Sequence, residues 1–130
     1  MAEFTGPVAL LDPGNFSPQY TANLCLSLTQ LGVDVTLIIS LPQFGEMPAT
    51  RGYRVENCFF RSVTGPGLFR SVTARSARGR MLLKACAYPF GLARARRLVC
   101  SLPSPGILHY QWPHMPYLDA GLVSCLRYAG

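Results

Sequence analysis

The chain has 130 residues, enough for one ordinary domain and too few for two. Apolar residues make up 49% of it and charged residues 14%, where a typical soluble domain carries roughly 25% charge, so disorder is excluded over most of its length. The net charge of +6 is unevenly placed: eleven of the twelve basic residues lie between Arg51 and Arg97 against the single acid Glu56, giving that segment +10.

Pro7 to Leu11 is a short apolar run that ends in the turn formers Asp12-Pro13-Gly14-Asn15, and it reads as a strand followed by a loop. Ser17 is a good N-cap, Pro18 suits the first helical position and Gly32 suits the residue just past a helix end, so a helix is expected over about 18 to 31. Tyr20, Leu24, Leu28 and Leu31 recur every three or four residues and predict its buried stripe, with Asn23, Ser27 and Gln30 facing outward. Val33 to Ser40 is β-branched and almost continuously apolar, as a parallel strand covered on both faces should be. The opening is therefore a right-handed βαβ unit.

After the turn-rich stretch Leu41 to Gly52, Tyr53 to Phe60 alternates well enough for a third strand, and Arg61 to Phe69 reads as a loop around Gly65-Pro66-Gly67. From about Ser71 the composition favours helix, in two pieces broken at Pro89 and Gly91. In the second piece Leu92, Ala95, Val99 and Leu102 share one face, and Arg94, Arg96 and Arg97 the other. Ile107 to Gln111 predicts a fourth strand, and a last helix from near Pro116 is expected to bury Leu118, Leu122 and Leu126. Strands alternating with helices imply an α/β domain with a Rossmann-like parallel sheet and helices on both faces. In the common doubly wound order the first and fourth strands are neighbours, so the loops Asp12 to Ser17 and Trp112 to Asp119 are expected to border one cleft.

The first of those loops offers Gly14, whose bare backbone admits close approach, and a helix start at Ser17 whose free amides attract anions. It is not a Gly-x-Gly-x-x-Gly or a P-loop, and a plain connecting turn explains it equally well. In the second loop His109-Tyr110-Gln111-Trp112-Pro113-His114 gathers the single tryptophan and both histidines at a strand end. Alternation puts His109 and Gln111 on one face and Tyr110 on the other, and predicts His109 as a packing residue. His114 lies where a general acid or a substrate contact is easily built. Trp112 either stacks on a sugar or base or plugs the sheet, and Asp119 either contacts a ligand or caps the last helix. No serine or cysteine pairs with these groups as a nucleophile, which leaves a self-contained hydrolase unsupported and no catalytic residue assigned.

The longest apolar runs stop far short of the ~18 residues of a membrane span. No basic residue precedes the first apolar stretch as in a secretory signal, and a cytoplasmic protein is expected. Five widely spaced cysteines without a Cys-x-x-Cys make neither a disulfide framework nor a zinc site. The basic segment asks for an anionic partner. Aromatics are not interleaved with its arginines, which argues against nucleic acid, whereas a helix with apolar and arginine faces suits an anionic membrane surface through Arg94, Arg96 and Arg97.

Ser17-Pro18-Gln19-Tyr20 leading to Leu24 and Leu28, then Leu31-Gly32-Val33-Asp34-Val35-Thr36-Leu37, resembles the opening of family 4 glycosyltransferases of the GT-B type. Ile107-Leu108-His109-Tyr110-Gln111-Trp112-Pro113, followed by Leu118-Asp119, is similar to a segment of some of these enzymes, while Val33 and Asp34 stand where many members have Gly-His or Gly-Glu. The resemblance implies that residues 1–130 are a partial amino-terminal, acceptor-side domain, an incomplete half of a GT-B fold. It implies sugar transfer with retention from a nucleotide-sugar to a carbohydrate or lipid-linked acceptor, with no other cofactor and no metal. Gly14, Asn15 and Ser17 would lie near the donor diphosphate, and Trp112, His114 and Asp119 near the acceptor. The family's donor pocket, with its Glu-x7-Glu motif, belongs to a carboxy-terminal domain not found in this sequence, so the chain is expected to be a fragment, inactive alone, peripheral at the inner face of the membrane. A reading from another class is a non-catalytic α/β module of flavodoxin or receiver type, although after the first strand only Asp12 supplies the acid that a receiver needs in a cluster.

Overall fold

A computed structural model describes residues 6–42, 46–61, 76–103 and 106–127. Four strands, β1 (Val8–Asp12), β2 (Val35–Ser40), β3 (Arg54–Phe59) and β4 (Ile107–Tyr110), form one all-parallel sheet in the order β3-β2-β1-β4. Helix α1 (Pro18–Gln30) covers one face, and α2 (Ala77–Cys100) with α3 (Pro116–Arg127) the other. The fold is the Rossmann-like α/β arrangement that the alternation of elements predicts. The loop expected after the third strand and the expected helix start near Ser71 lie outside the described residues, as does the side chain of Leu126.

The continuously apolar β1 and β2 are buried at every position. Their alternation divides two cores. Leu10, Val35, Leu37 and Ile39 meet Cys25, with Leu24 and Leu28, under α1. On the opposite face Ala9, Leu11, Ile38, Cys58, Phe59 and Phe60 meet Tyr88, Ala95 and Leu122.

Four expectations are corrected by the packing, the first being Leu118 of α3, expected to be buried and in fact 42% exposed. The buried stripe of α1 is Thr21, Ala22 and Cys25, with Leu24 and Leu28 partly covered, whereas Tyr20 and Leu31 are exposed. The helix sits chiefly over β2. The break expected at Pro89 is absent, and α2 runs unbroken for 24 residues. An internal proline costs a helix ~3 kcal/mol, but here the residues on either side are anchored: Tyr88 is buried, and a Cβ on Gly91 would stand 2.6 Å from Phe59 Cδ1 and 3.2 Å from Phe59 Cα. Finally, His109, on the edge strand β4, is exposed.

The face of α2 bearing Leu92, Ala95 and Val99 packs on the core, with Leu98 and Leu102, leaving Arg94, Arg96 and Arg97 outside. The apolar side that suggested membrane contact is therefore occupied by the sheet.

Two glycines should respond oppositely to alanine. Gly91→Ala pushes a methyl into the β3 backbone and should cost about 1–3 kcal/mol. Gly121→Ala, in α3 with nothing within 4 Å of the new methyl, should stabilise by about 0.5–1 kcal/mol. Urea unfolding of both variants measures the contrast.

Candidate functional site

In the order β3-β2-β1-β4 the chain leaves β1 in one direction along the sheet and returns to its other side for β4. The switch point thus lies between the carboxyl ends of β1 and β4, where open α/β sheets bind ligands. Among the described residues three non-glycine residues adopt left-handed backbone, and each follows a strand: Asn15 (φ 45°) after β1, Phe60 (φ 53°) after β3 and Trp112 (φ 54°) after β4. Such conformations cost about 1–3 kcal/mol each and gather where surrounding structure holds a loop for a purpose.

The loop after β1 is held by Asp12, which is fully buried. Its Oδ1 accepts from the Asn15 N–H (2.9 Å) and its Oδ2 from the Thr21 hydroxyl (2.8 Å). Asn15 in turn donates from Nδ2 to the Ser40 carbonyl (2.9 Å) and to Met47 Sδ (3.4 Å), tying this loop to the end of β2. The close approach that Gly14 permits is made by the chain's own rings: a Cβ there would collide with Phe16 and would lie 2.8 Å from His114 Cε1. Of the three residues expected near a phosphate, Gly14 and Asn15 are buried and Ser17 is exposed. Ser17 caps α1 without a side-chain hydrogen bond.

Beyond β4 the residues divide between the two faces of the sheet. On the α2 side Asp119, 5% exposed, has both carboxylate oxygens engaged within the protein. Its Oδ1 accepts from the hydroxyls of Tyr88 (2.6 Å) and Tyr110 (2.9 Å), and its Oδ2 accepts from the Met115 N–H (3.1 Å) before the first turn of α3. The two tyrosine hydroxyls also contact each other. Above this network His114 stacks on Tyr88 (centroids 5.9 Å, planes 17°) and on Phe16 (5.6 Å, 12°), with Phe60 tilted beside it. Lys84 lies 5.4 Å over the Phe60 ring, and burial, with Arg80 as a lesser cause, holds its ammonium below the ordinary lysine range.

On the α1 side a cavity of about 380 Å³ opens between Ser17, Tyr20, His109, Gln111 and Trp112. Register explains the grouping: His109 pairs with Leu10, which faces α1, and Gln111 has the same parity. Trp112 is 62% and Tyr20 61% exposed, whereas Gln111 is 8% exposed and its Oε1 has no hydrogen-bond partner. The pocket joins two aromatic walls, two hydroxyls, an imidazole and a buried carbonyl oxygen, with no carboxylate and no ammonium or guanidinium group. That chemistry suits a neutral ring bearing hydroxyl donors. Among the described residues no group of histidine, cysteine or carboxylate side chains is placed to hold a metal ion.

The expected acceptor residues are thus separated. Trp112 lines the pocket, His114 sits in the ring stack on the other face, and Asp119 is inside the domain. Ser17, Tyr20, His109 and Gln111 form the rest of the pocket, and of these Tyr20 and His109 were expected to be packed. The signal available for them was positional: Tyr20 follows the N-cap by three residues, and His109 and Gln111 share parity at the end of an edge strand.

Removing the Tyr88 hydroxyl leaves part of the Asp119 network unpaired, and Tyr88→Phe should cost about 1–3 kcal/mol in urea unfolding. Alkaline pH should also destabilise the fold. Burial is the leading cause that raises the Cys25 thiol from 9.0 to about 11, and that raises Cys58, Tyr53, Tyr88 and Tyr110 above their ordinary values. The unfolded chain ionises these groups first and binds fewer protons there, so their contribution is complete below the unfolded values and is lost as pH rises through the folded ones. Lys84, shifted the other way, opposes the trend. The urea midpoint should fall between about pH 8 and about pH 11, and Cys25→Ala should flatten the early part of that fall.

Comparison of the chain with family models, with curated proteins and with solved structures gives no match in any of the three.

Proposed function

We propose that this domain binds the acceptor of a GT-B glycosyltransferase, which moves a sugar from a nucleotide-sugar donor to a carbohydrate or lipid-linked acceptor on the cytoplasmic side of a membrane. The observation that carries the reading is the pocket at the β1/β4 switch point, where Trp112 and Tyr20 flank the unpartnered Oε1 of buried Gln111. A sugar ring presents apolar C–H faces to such aromatic walls and hydroxyl donors to such an oxygen. In the transfer the bond from the donor's anomeric carbon to the diphosphate oxygen breaks, a bond to the acceptor hydroxyl oxygen forms, and that hydroxyl's proton passes to the departing diphosphate. Ser17 and the free amides at the start of α1 border the same pocket and are suited to the diphosphate. Asp119 serves this site indirectly, by fixing Tyr110 next to the pocket residues of β4.

Trp112 is the single tryptophan of the chain, so its emission reports directly on the pocket. Titration with a panel of monosaccharides, oligosaccharides and nucleotide-sugars should give a saturable change for at least one member. Gln111→Leu should weaken that binding about tenfold, the worth of one hydrogen bond to a buried group. A response to flavin mononucleotide with none to any sugar would replace this reading by that of a flavin-binding module.

A further inference from the structure

Helix α2 carries six basic residues and no acid over its 24 residues, a length of about 36 Å. Tyr88, Gly91 and Ala95 mark its inward line. Opposite them Arg78, Leu82, Cys86, Pro89, Phe90, Ala93, Arg96, Arg97 and Cys100 are all exposed, at the three- and four-residue steps of one helix face. Leu82 is 68% and Phe90 70% exposed. The outward face is therefore apolar at its middle and bounded by arginine at both ends, a different surface from the core-packed side of the same helix.

From this surface we infer that the outward face of α2 seats the protein on a bilayer rich in anionic phospholipid. Leu82 and Phe90 enter the boundary between headgroups and acyl chains, and Arg78, Arg96 and Arg97 meet the phosphates. A lone helix flank is convex and offers no groove for a peptide. A nucleic acid would neutralise the arginines and leave Leu82 and Phe90 in water. An anionic bilayer satisfies both at once, by apolar burial and charge attraction in one plane. No helix among the described residues is long and apolar enough to cross the membrane, so the contact is one of lying on the surface. The inference uses no residue of the sugar pocket and stands whether or not that pocket takes a sugar.

Co-sedimentation of the full chain with phosphatidylcholine vesicles, with and without phosphatidylglycerol, tests it at low salt. Binding is expected to the anionic vesicles alone. The triple variant Arg78→Gln, Arg96→Gln, Arg97→Gln should bind about a hundredfold more weakly, and the Leu82→Ser, Phe90→Ser variant, with the charge of the unaltered protein, at least tenfold more weakly. All five side chains are exposed, so circular dichroism should show both variants folded. An environment-sensitive label on Cys86, with Cys100 and Cys125 replaced by serine, should shift to the blue on binding. Full binding by the Leu82→Ser, Phe90→Ser variant would overturn the inference in favour of a polyanion site. Equal pelleting with neutral and anionic vesicles, or none with either, would overturn it outright.

Discussion

Everything at the carboxyl edge of this sheet depends on one buried carboxylate. Asp12 ends the central strand, has no access to water, and accepts one hydrogen bond from the loop backbone and one from α1. A charge in that position is tolerable only because donors converge on it. Through Asn15 its influence reaches the end of β2, and through Thr21 it sets where α1 starts. The position of Ser17 and Tyr20 beside β4 follows from that anchorage.

The second constraint is the mismatch between helix and sheet. Among the described residues a single helix on the α1 face covers chiefly β2, and a pocket remains on that side of the edge strand β4, while α2 and α3 pack on the other. The same strand therefore presents Tyr110 to a closed polar network and His109 and Gln111 to an open pocket. Alternation along four residues is enough to separate a closed face from an open one.

Legibility of the fold in the sequence followed the strength of local signals. β1 and β2 are continuous apolar runs, Ser17-Pro18 and Gly32 bracket α1, and the parity of His109 and Gln111 against Tyr110 could be read from a strand's period. Tertiary placement could not be read. Tyr20 and Leu31 belong to the apolar stripe of α1 by spacing, but both are exposed in the fold, where Thr21, Ala22 and Cys25 take the buried positions. Pro89 is a strong local breaker, and the contact between Gly91 and Phe59 that outweighs it joins residues 32 apart in sequence. The Tyr88, Tyr110 and Asp119 network likewise spans 31 residues from Tyr88 to Asp119 and has no periodic signature. Of the site, Trp112 and Ser17 were legible as strand-end and helix-start residues, whereas the buried oxygen of Gln111 emerges only from three-dimensional packing.

The placement of α1 and α2 on opposite faces of the sheet has a geometric consequence for any surface-bound form of the protein. A bilayer touching the outer flank of α2 lies beneath one helix layer and the sheet, each about 10 Å thick, before the mouth beside Tyr20 and Trp112 is reached. The pocket, on the opposite face of the sheet, would then stand roughly 20 Å above the headgroups. Under the proposed function, a substrate anchored in the same bilayer would have to carry its reactive hydroxyl on a stalk of that height, and the domain would act as a ruler that favours long-headed acceptors over short ones.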